Sequence, residues 1–105
     1  MRAIRSRRPL TMEYEGQEFT VFRVGDLAER VDRSSQTVAY WKRNGILPES
    51  PFRRERGAGH DNFYTSEMMQ VVVAAVESQG GKGIADPAAF KQEIEEGWKA
   101  LGFNN

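Results

Sequence analysis

Three groups of side chains in this 105-residue sequence have the types and spacing that suit contact with a polyanion. Ser35, Gln36, Tyr40, Lys42 and Arg43 share one nine-residue stretch. A glutamine amide donates and accepts at once, which matches an adenine edge in the DNA major groove, and a serine hydroxyl reaches either a base or a phosphate. A tyrosine hydroxyl bonds a phosphate, and Lys42 and Arg43 add charge beside it. The second group is Arg53, Arg54 and Arg56, in the glycine-rich run from Pro51 to His60. Arginines on such a tip can enter a narrow minor groove, where negative potential concentrates. The third is Arg5, Arg7 and Arg8, which with Arg2 lie in a terminal stretch that has little to bury. Such a stretch reads as a solvated basic arm able to track phosphates.

Catalysis has no comparable set. His60 is the one histidine and cysteine is absent, so neither a histidine metal cluster, a thiolate site nor a charge-relay triad can be assembled. Glu93, Glu95 and Glu96 are clustered, but beside an apolar helical stripe they read as its wet face. The expectation is no enzyme, no cofactor and no metal. Without cysteine nothing ties the chain to an oxidising compartment. The longest apolar run, Val71 to Val76, is far too short for a membrane span, and Met1 to Arg8 carries no signal-peptide core. The expected setting is the cytoplasm, at the nucleoid, with no membrane partner.

The formal net charge is zero, but it is polarised along the chain. Up to His60 twelve basic residues face eight acidic ones, and from Asp61 onward three face seven. A basic half beside an acidic half is consistent with one surface for a polyanion and another for a protein partner.

The elements that must position these side chains follow from periodicity and end signals. Met12 to Phe22, around Gly16, fits a short hairpin or an extended lead-in. Val24, Leu27, Ala28 and Val31 fall on one helical stripe. Asp32-Arg33-Ser34 interrupts it, and Ser34 is a good N-cap for a second helix over Ser35 to Arg43, with Val38 and Trp41 inward. Asn44-Gly45 and then Pro48 end that helix. Two short helices joined by a tight turn form a helix-turn-helix. Asn62-Phe63-Tyr64 reads as the return strand of a hairpin whose tip carries the arginines. Thr65 caps a third helix with Met69, Val72, Val73 and Val76 inward, widened by Met68 and Val71; this helix should centre the core. Ser78 to Gly83 is a loose connection. Asp86-Pro87 starts a last helix whose apolar face is Phe90, Ile94, Trp98 and Leu101, with Lys91, Glu95, Glu96 and Lys99 off it and Gly102 as its stop.

The order Val24-Gly25-Asp26-Leu27-Ala28, Ser34-Ser35-Gln36-Thr37-Val38-Ala39-Tyr40-Trp41, Gly45-Ile46-Leu47-Pro48 and Phe63-Tyr64-Thr65 resembles the winged helix-turn-helix of MerR-type DNA-binding proteins. The resemblance covers about Phe22 to Val76. It implies a mainly α fold with a small β-hairpin wing, plus here one C-terminal helix. It also implies a second helix in the major groove, with Tyr40 at the family's aromatic position, and a wing along the backbone. Three residues depart from the pattern. Ala39 stands where an arginine is common, Asn62 replaces a wing arginine, and Asp32 occupies a turn position where glycine is common. Aspartate tolerates that left-handed conformation at modest cost.

Small excisionase-type proteins of phages and mobile elements, and some small terminase subunits, share the pattern. MerR-type regulators usually continue into a long dimerisation helix and an effector domain, so a ligand-sensing activator is not expected. The sequence therefore divides into a basic arm and lead-in (1–21), a DNA-binding unit (22–79), and a glycine linker with a packing or oligomerisation helix (80–105). The expected function is sequence-specific binding of double-stranded DNA, as a transcriptional regulator of phage or mobile-element type. The alternatives are an excisionase-like bending factor or a terminase-like packaging adaptor. One short reading helix specifies few base pairs, so a homo-oligomer, cooperative binding, or a protein partner on the C-terminal helix is implied.

Overall fold

The structure, a computed structural model, describes residues 10–56 and 59–103, with the backbone alone at 56, 59 and 60. The expected arm with Arg5, Arg7 and Arg8 lies outside the described residues, as do the side chains of Arg56 and His60.

Of the two forms open to the lead-in, the chain adopts the hairpin. Strand β1 (Leu10–Tyr14) pairs antiparallel with β2 (Gln17–Val21), with Leu10 opposite Val21 and Tyr14 opposite Gln17. The turn consists of Glu15 and Gly16, at φ 51° and 82°. Positive φ at both central residues matches the right-handed twist of the flanking strands. The inward residues Leu10, Met12, Tyr14 and Phe19 pack against the core.

Helix α1 (Val24–Arg30) starts where Asp26 Oδ2 accepts a hydrogen bond from the Arg23 N–H at 3.2 Å. Leu27, Ala28 and Val31 are buried, as the stripe requires, and Val24 is partly so. The helix ends with Asp32 at φ 58°. The Asp32 N–H donates to the Glu29 carbonyl, and the Arg33 N–H donates to that of Ala28. This reversal is normally built with glycine. Arg33 then fastens the turn. Its guanidinium donates to the carbonyls of Val31 and Asp32 and, across the molecule, to those of Gly81 and Lys82 at 2.8 and 2.7 Å. Ser34 Oγ caps α2 (Ser35–Arg43) by accepting from the Thr37 N–H at 3.1 Å. At the far end Gly45, at φ 72°, turns the chain so that the Ile46 N–H returns to the Trp41 carbonyl at 2.8 Å.

A second hairpin follows, β3 (Phe52–Arg56) against β4 (Gly59–Phe63), with Phe52 opposite Phe63. It is joined to the rest by an antiparallel bridge between Phe22 and Tyr64. Thr65 Oγ1 caps α3 (Ser66–Ser78) by accepting from the Met68 N–H at 3.1 Å. Helix α3 lies at the centre of the core, burying Met68, Met69, Val72, Ala75 and Val76, while Val71 and Val73 are partly covered. Asp86 Oδ1 caps α4 (Pro87–Ala100) at the Ala89 N–H.

Helix α4 packs on α3 through Phe90, Ile94 and Trp98. Trp98 Nε1 donates to the Met68 carbonyl at 3.0 Å, and Gly97 lies against Val71. The expected fourth residue of this face, Leu101, is instead 40% exposed, and Phe103 is buried at 7%. The cause is the helix stop. Gly102 takes φ 97°, and the Phe103 N–H bonds back to the Trp98 carbonyl at 3.0 Å, which swings Leu101 outward and Phe103 inward. Phe103 meets Tyr14, Phe19 and Phe52 with ring centroids 5.2–5.3 Å apart. Both hairpins and the C-terminal segment thus enter the same core. Among the described residues no helix is long and apolar enough to cross a membrane.

Candidate nucleic-acid interface

Helix α2 has one anchored face and one free face. Val38 and Trp41 are buried, and the Trp41 ring meets Phe90 of α4 edge-on at 5.3 Å. The opposite side presents Gln36, Tyr40 and Arg43 at i, i+4 and i+7, a single stripe of exposed side chains. Tyr40 is 51% exposed, the most exposed large hydrophobic side chain of the described residues. Ser35, Ala39 and Lys42 form the adjacent stripe, which runs from exposed to half-buried. The structure therefore brings all five expected α2 residues to the solvent side of one helix.

The second expected group is divided. Arg53 and Arg54 stand in strand β3, not on the glycine-rich tip, because β3 pairs with β4 as far as Arg56 opposite Gly59. Successive strand residues point to opposite faces, so Arg53 and Arg54 are on different sides of the hairpin. Arg53 reaches Glu49 at 2.9 Å, an ion pair well exposed to solvent and easily exchanged for another anion. The Arg54 guanidinium lies over the Phe63 ring, 5.1 Å from its centroid, a contact that orients the group without consuming its hydrogen-bond donors.

Asn62, read from the sequence as a polar wing position, is 2% exposed. Its Oδ1 accepts from the Ser50 N–H at 2.9 Å. Ser50 Oγ in turn donates to the Phe63 carbonyl and accepts from the Phe52 N–H at 3.0 Å. This buried network locks the strand base to the loop after α2, so the hairpin is fixed in orientation relative to the free face of α2. Tyr64, next along the chain, is fully buried, with no hydrogen-bond partner for its hydroxyl among the described residues. Burial, and secondarily the charge of Glu49, pushes its pKa well above the usual tyrosine value.

Between the two elements lies a cleft of about 270 Å³, lined by Arg23, Val24 and Gly25 at the start of α1, by Lys42, and by Asp61, Asn62 and Phe63 of β4. Arg23 was not singled out in the sequence. It precedes the α1 stripe as an isolated cation, and only the tertiary arrangement places it with Lys42. Among the described residues no group of three His, Cys, Asp or Glu side chains is placed to hold a metal ion. Comparison with known protein families, with curated proteins and with solved structures finds no match.

Proposed function

We propose that this chain is a sequence-specific double-stranded DNA-binding protein of the winged helix-turn-helix, MerR-like type, acting as a small regulator of transcription. In this reading α1 and α2 are the helix-turn-helix pair and β3–β4 is the wing. Gln36 and Ser35 read base edges, and Tyr40, Lys42 and Arg43 hold flanking phosphates. Arg53 and Arg54 contact the backbone from the wing, joined by Arg56 and by Arg5, Arg7 and Arg8 of the arm.

The observation that carries the reading is the free stripe of α2. A nine-residue helix anchored by Val38 and Trp41 leaves Gln36, Tyr40 and Arg43 exposed in line, with a large aromatic side chain half open to solvent among them. An arginine-bearing hairpin held rigidly beside such a helix is the arrangement that spans a groove and its flanking phosphates. The test is selection of bound sequences from a random duplex pool at two salt concentrations, with the complexes sized. Enrichment of a defined motif that survives the higher salt supports the reading, and the spacing of repeated motifs reports a monomer, a dimer or a cooperative array. Binding without enrichment, lost as salt rises, refutes sequence-specific recognition.

A further inference from the structure

Helix α4 belongs to the acidic half of the chain, yet both of its lysines line the cleft toward α2, while also bordering Glu95 and Glu96 along the outer surface of the helix. A second cleft, of about 460 Å³, opens between the C-terminal end of α2 and α4, and its charged lining is Lys42, Arg43, Glu49, Lys91, Glu95 and Lys99. Among the described residues none of the four cations forms an ion pair, whereas Glu49 is engaged by Arg53 at 2.9 Å. Four positive charges, none of them in an ion pair, thus meet across an open cleft that also holds the carboxylates of Glu49 and Glu95, an excess of two cations.

Local helix electrostatics does not account for this arrangement. Lys42, Arg43 and Lys99 sit in last turns, where a cation complements the helix dipole. Lys91 sits in the second turn of α4, where the dipole gives it no advantage. Its order relative to Glu95, lysine first, is the weaker one for an i,i+4 pair. Lys91 and Lys99 are eight residues apart, about 12 Å along the helix axis, so they address separated points on a ligand and not a single small anion. Lys42 and Arg43 also belong to the adjacent stripes of the free α2 face, so the cleft continues that surface.

We propose that this cleft is a second contact for the nucleic-acid backbone, with Lys91 and Lys99 of α4 taking phosphates that flank the segment read by α2. The inference rests on the double-stranded DNA reading above and extends its footprint to the C-terminal helix. The shared chemistry is a phosphate group, and the test separates a duplex from a free polyphosphate.

Affinity for a mixed-sequence duplex is measured against salt concentration for the full chain and for K91A/K99A, K91R/K99R, R53A/R54A and K82A, each checked for unchanged thermal unfolding. Each lost phosphate contact lowers the salt slope by about 0.9. The expected result is a slope reduced in K91A/K99A, retained in K91R/K99R, and unchanged in K82A, whose lysine is on the α3–α4 connection. A K91A/K99A slope equal to that of the unaltered chain, with R53A/R54A reduced, overturns this inference and leaves the DNA reading standing. Absence of duplex binding by the unaltered chain overturns both. Tripolyphosphate binding that is lost in K91A/K99A while the duplex slopes stay equal overturns the backbone contact in favour of a small phosphate ligand.

Discussion

Replacing Gly97 by alanine sets two effects of opposite sign against each other. Inside α4, one turn from its C-terminal end, the change removes the conformational cost of glycine, which alone stabilises a helix by up to about 1 kcal/mol. The new Cβ, however, would lie 2.5 Å from Val71 Cγ1 and 3.1 Å from Cγ2 of α3. Carbon atoms prefer about 3.5–4.0 Å, so the helices must separate or Val71 must rotate by roughly an ångström. Val71 is β-branched on a helix and holds one dominant rotamer, which leaves separation of α3 and α4 as the main response. Overpacking of this kind costs about 1–3 kcal/mol. The net expectation is destabilisation of about 1 kcal/mol, read as a lower urea midpoint at unchanged m-value. Val71→Ala removes the obstructing methyl groups, so the double variant Val71→Ala/Gly97→Ala should be more stable than the sum of the single changes by about 1 kcal/mol or more. A single Gly97→Ala that raises the midpoint, with strict additivity in the double variant, would refute the close approach of α3 and α4.

Three further outcomes follow from individual side chains. Tyr64→Phe removes a buried hydroxyl that has no partner among the described residues and is expected to raise stability by about 1 kcal/mol in urea unfolding. Because the folded state holds the Tyr64 proton more tightly than the unfolded chain, its contribution is complete below about pH 10 and declines as the pH rises further. The Phe variant should therefore lose less stability than the unaltered chain in alkaline titration, and equal losses would contradict the assignment. Asp32→Gly should gain about 0.5 kcal/mol and Asp32→Ala lose about 1 kcal/mol, since φ 58° strains a side chain that cannot bond locally; equal effects in calorimetry would remove the left-handed turn from the account. Gln36→Ala should cost about 1–3 kcal/mol at one position of a selected site with the salt slope unchanged, and an equal loss on every sequence would assign Gln36 to the backbone instead.

The helices were legible because their ends are written locally. Ser34, Thr65 and the Asp86-Pro87 pair each cap the helix that the apolar period begins, and Gly45 stops α2 where the sequence places its end. The free face of α2 was legible for the same reason, since burial of Val38 and Trp41 assigns the remainder by elimination. What was not legible depends on partners far along the chain. Gly102 signals a stop, but whether Leu101 or Phe103 is buried is decided by a pocket built from Tyr14, Phe19 and Phe52. Asn62 has the composition of a surface residue and is buried because Ser50, twelve positions earlier, supplies its donor. Pro51 to His60 is too polar to announce a strand, and pairing with β4 is what draws Arg53 and Arg54 off the tip. The first hairpin stayed ambiguous because Glu15, a residue seldom left-handed, holds the position where asparagine would have given the turn away.

Nine residues are too few for α2 to hold a helix in water by itself, so its geometry is imposed from outside. The imposed constraints converge on it from every direction: the Ser34 cap in front, the Gly45 reversal behind, Trp41 against Phe90 beneath, and the Ser50–Asn62 network that fixes the neighbouring hairpin. The Arg33 guanidinium adds a long-range tie by holding the α1–α2 turn to the carbonyls of Gly81 and Lys82 on the α3–α4 connection. A surface that discriminates between base sequences needs side chains fixed in register, and each of these devices acts on the backbone that carries Gln36, Tyr40 and Arg43. The polarisation of charge along the sequence does not survive folding intact, because α4 returns Lys91 and Lys99 to the end of α2. The same packing that makes a marginal helix rigid therefore also enlarges the positive surface around it, and this joins the stability of α4 to the proposed contact with DNA.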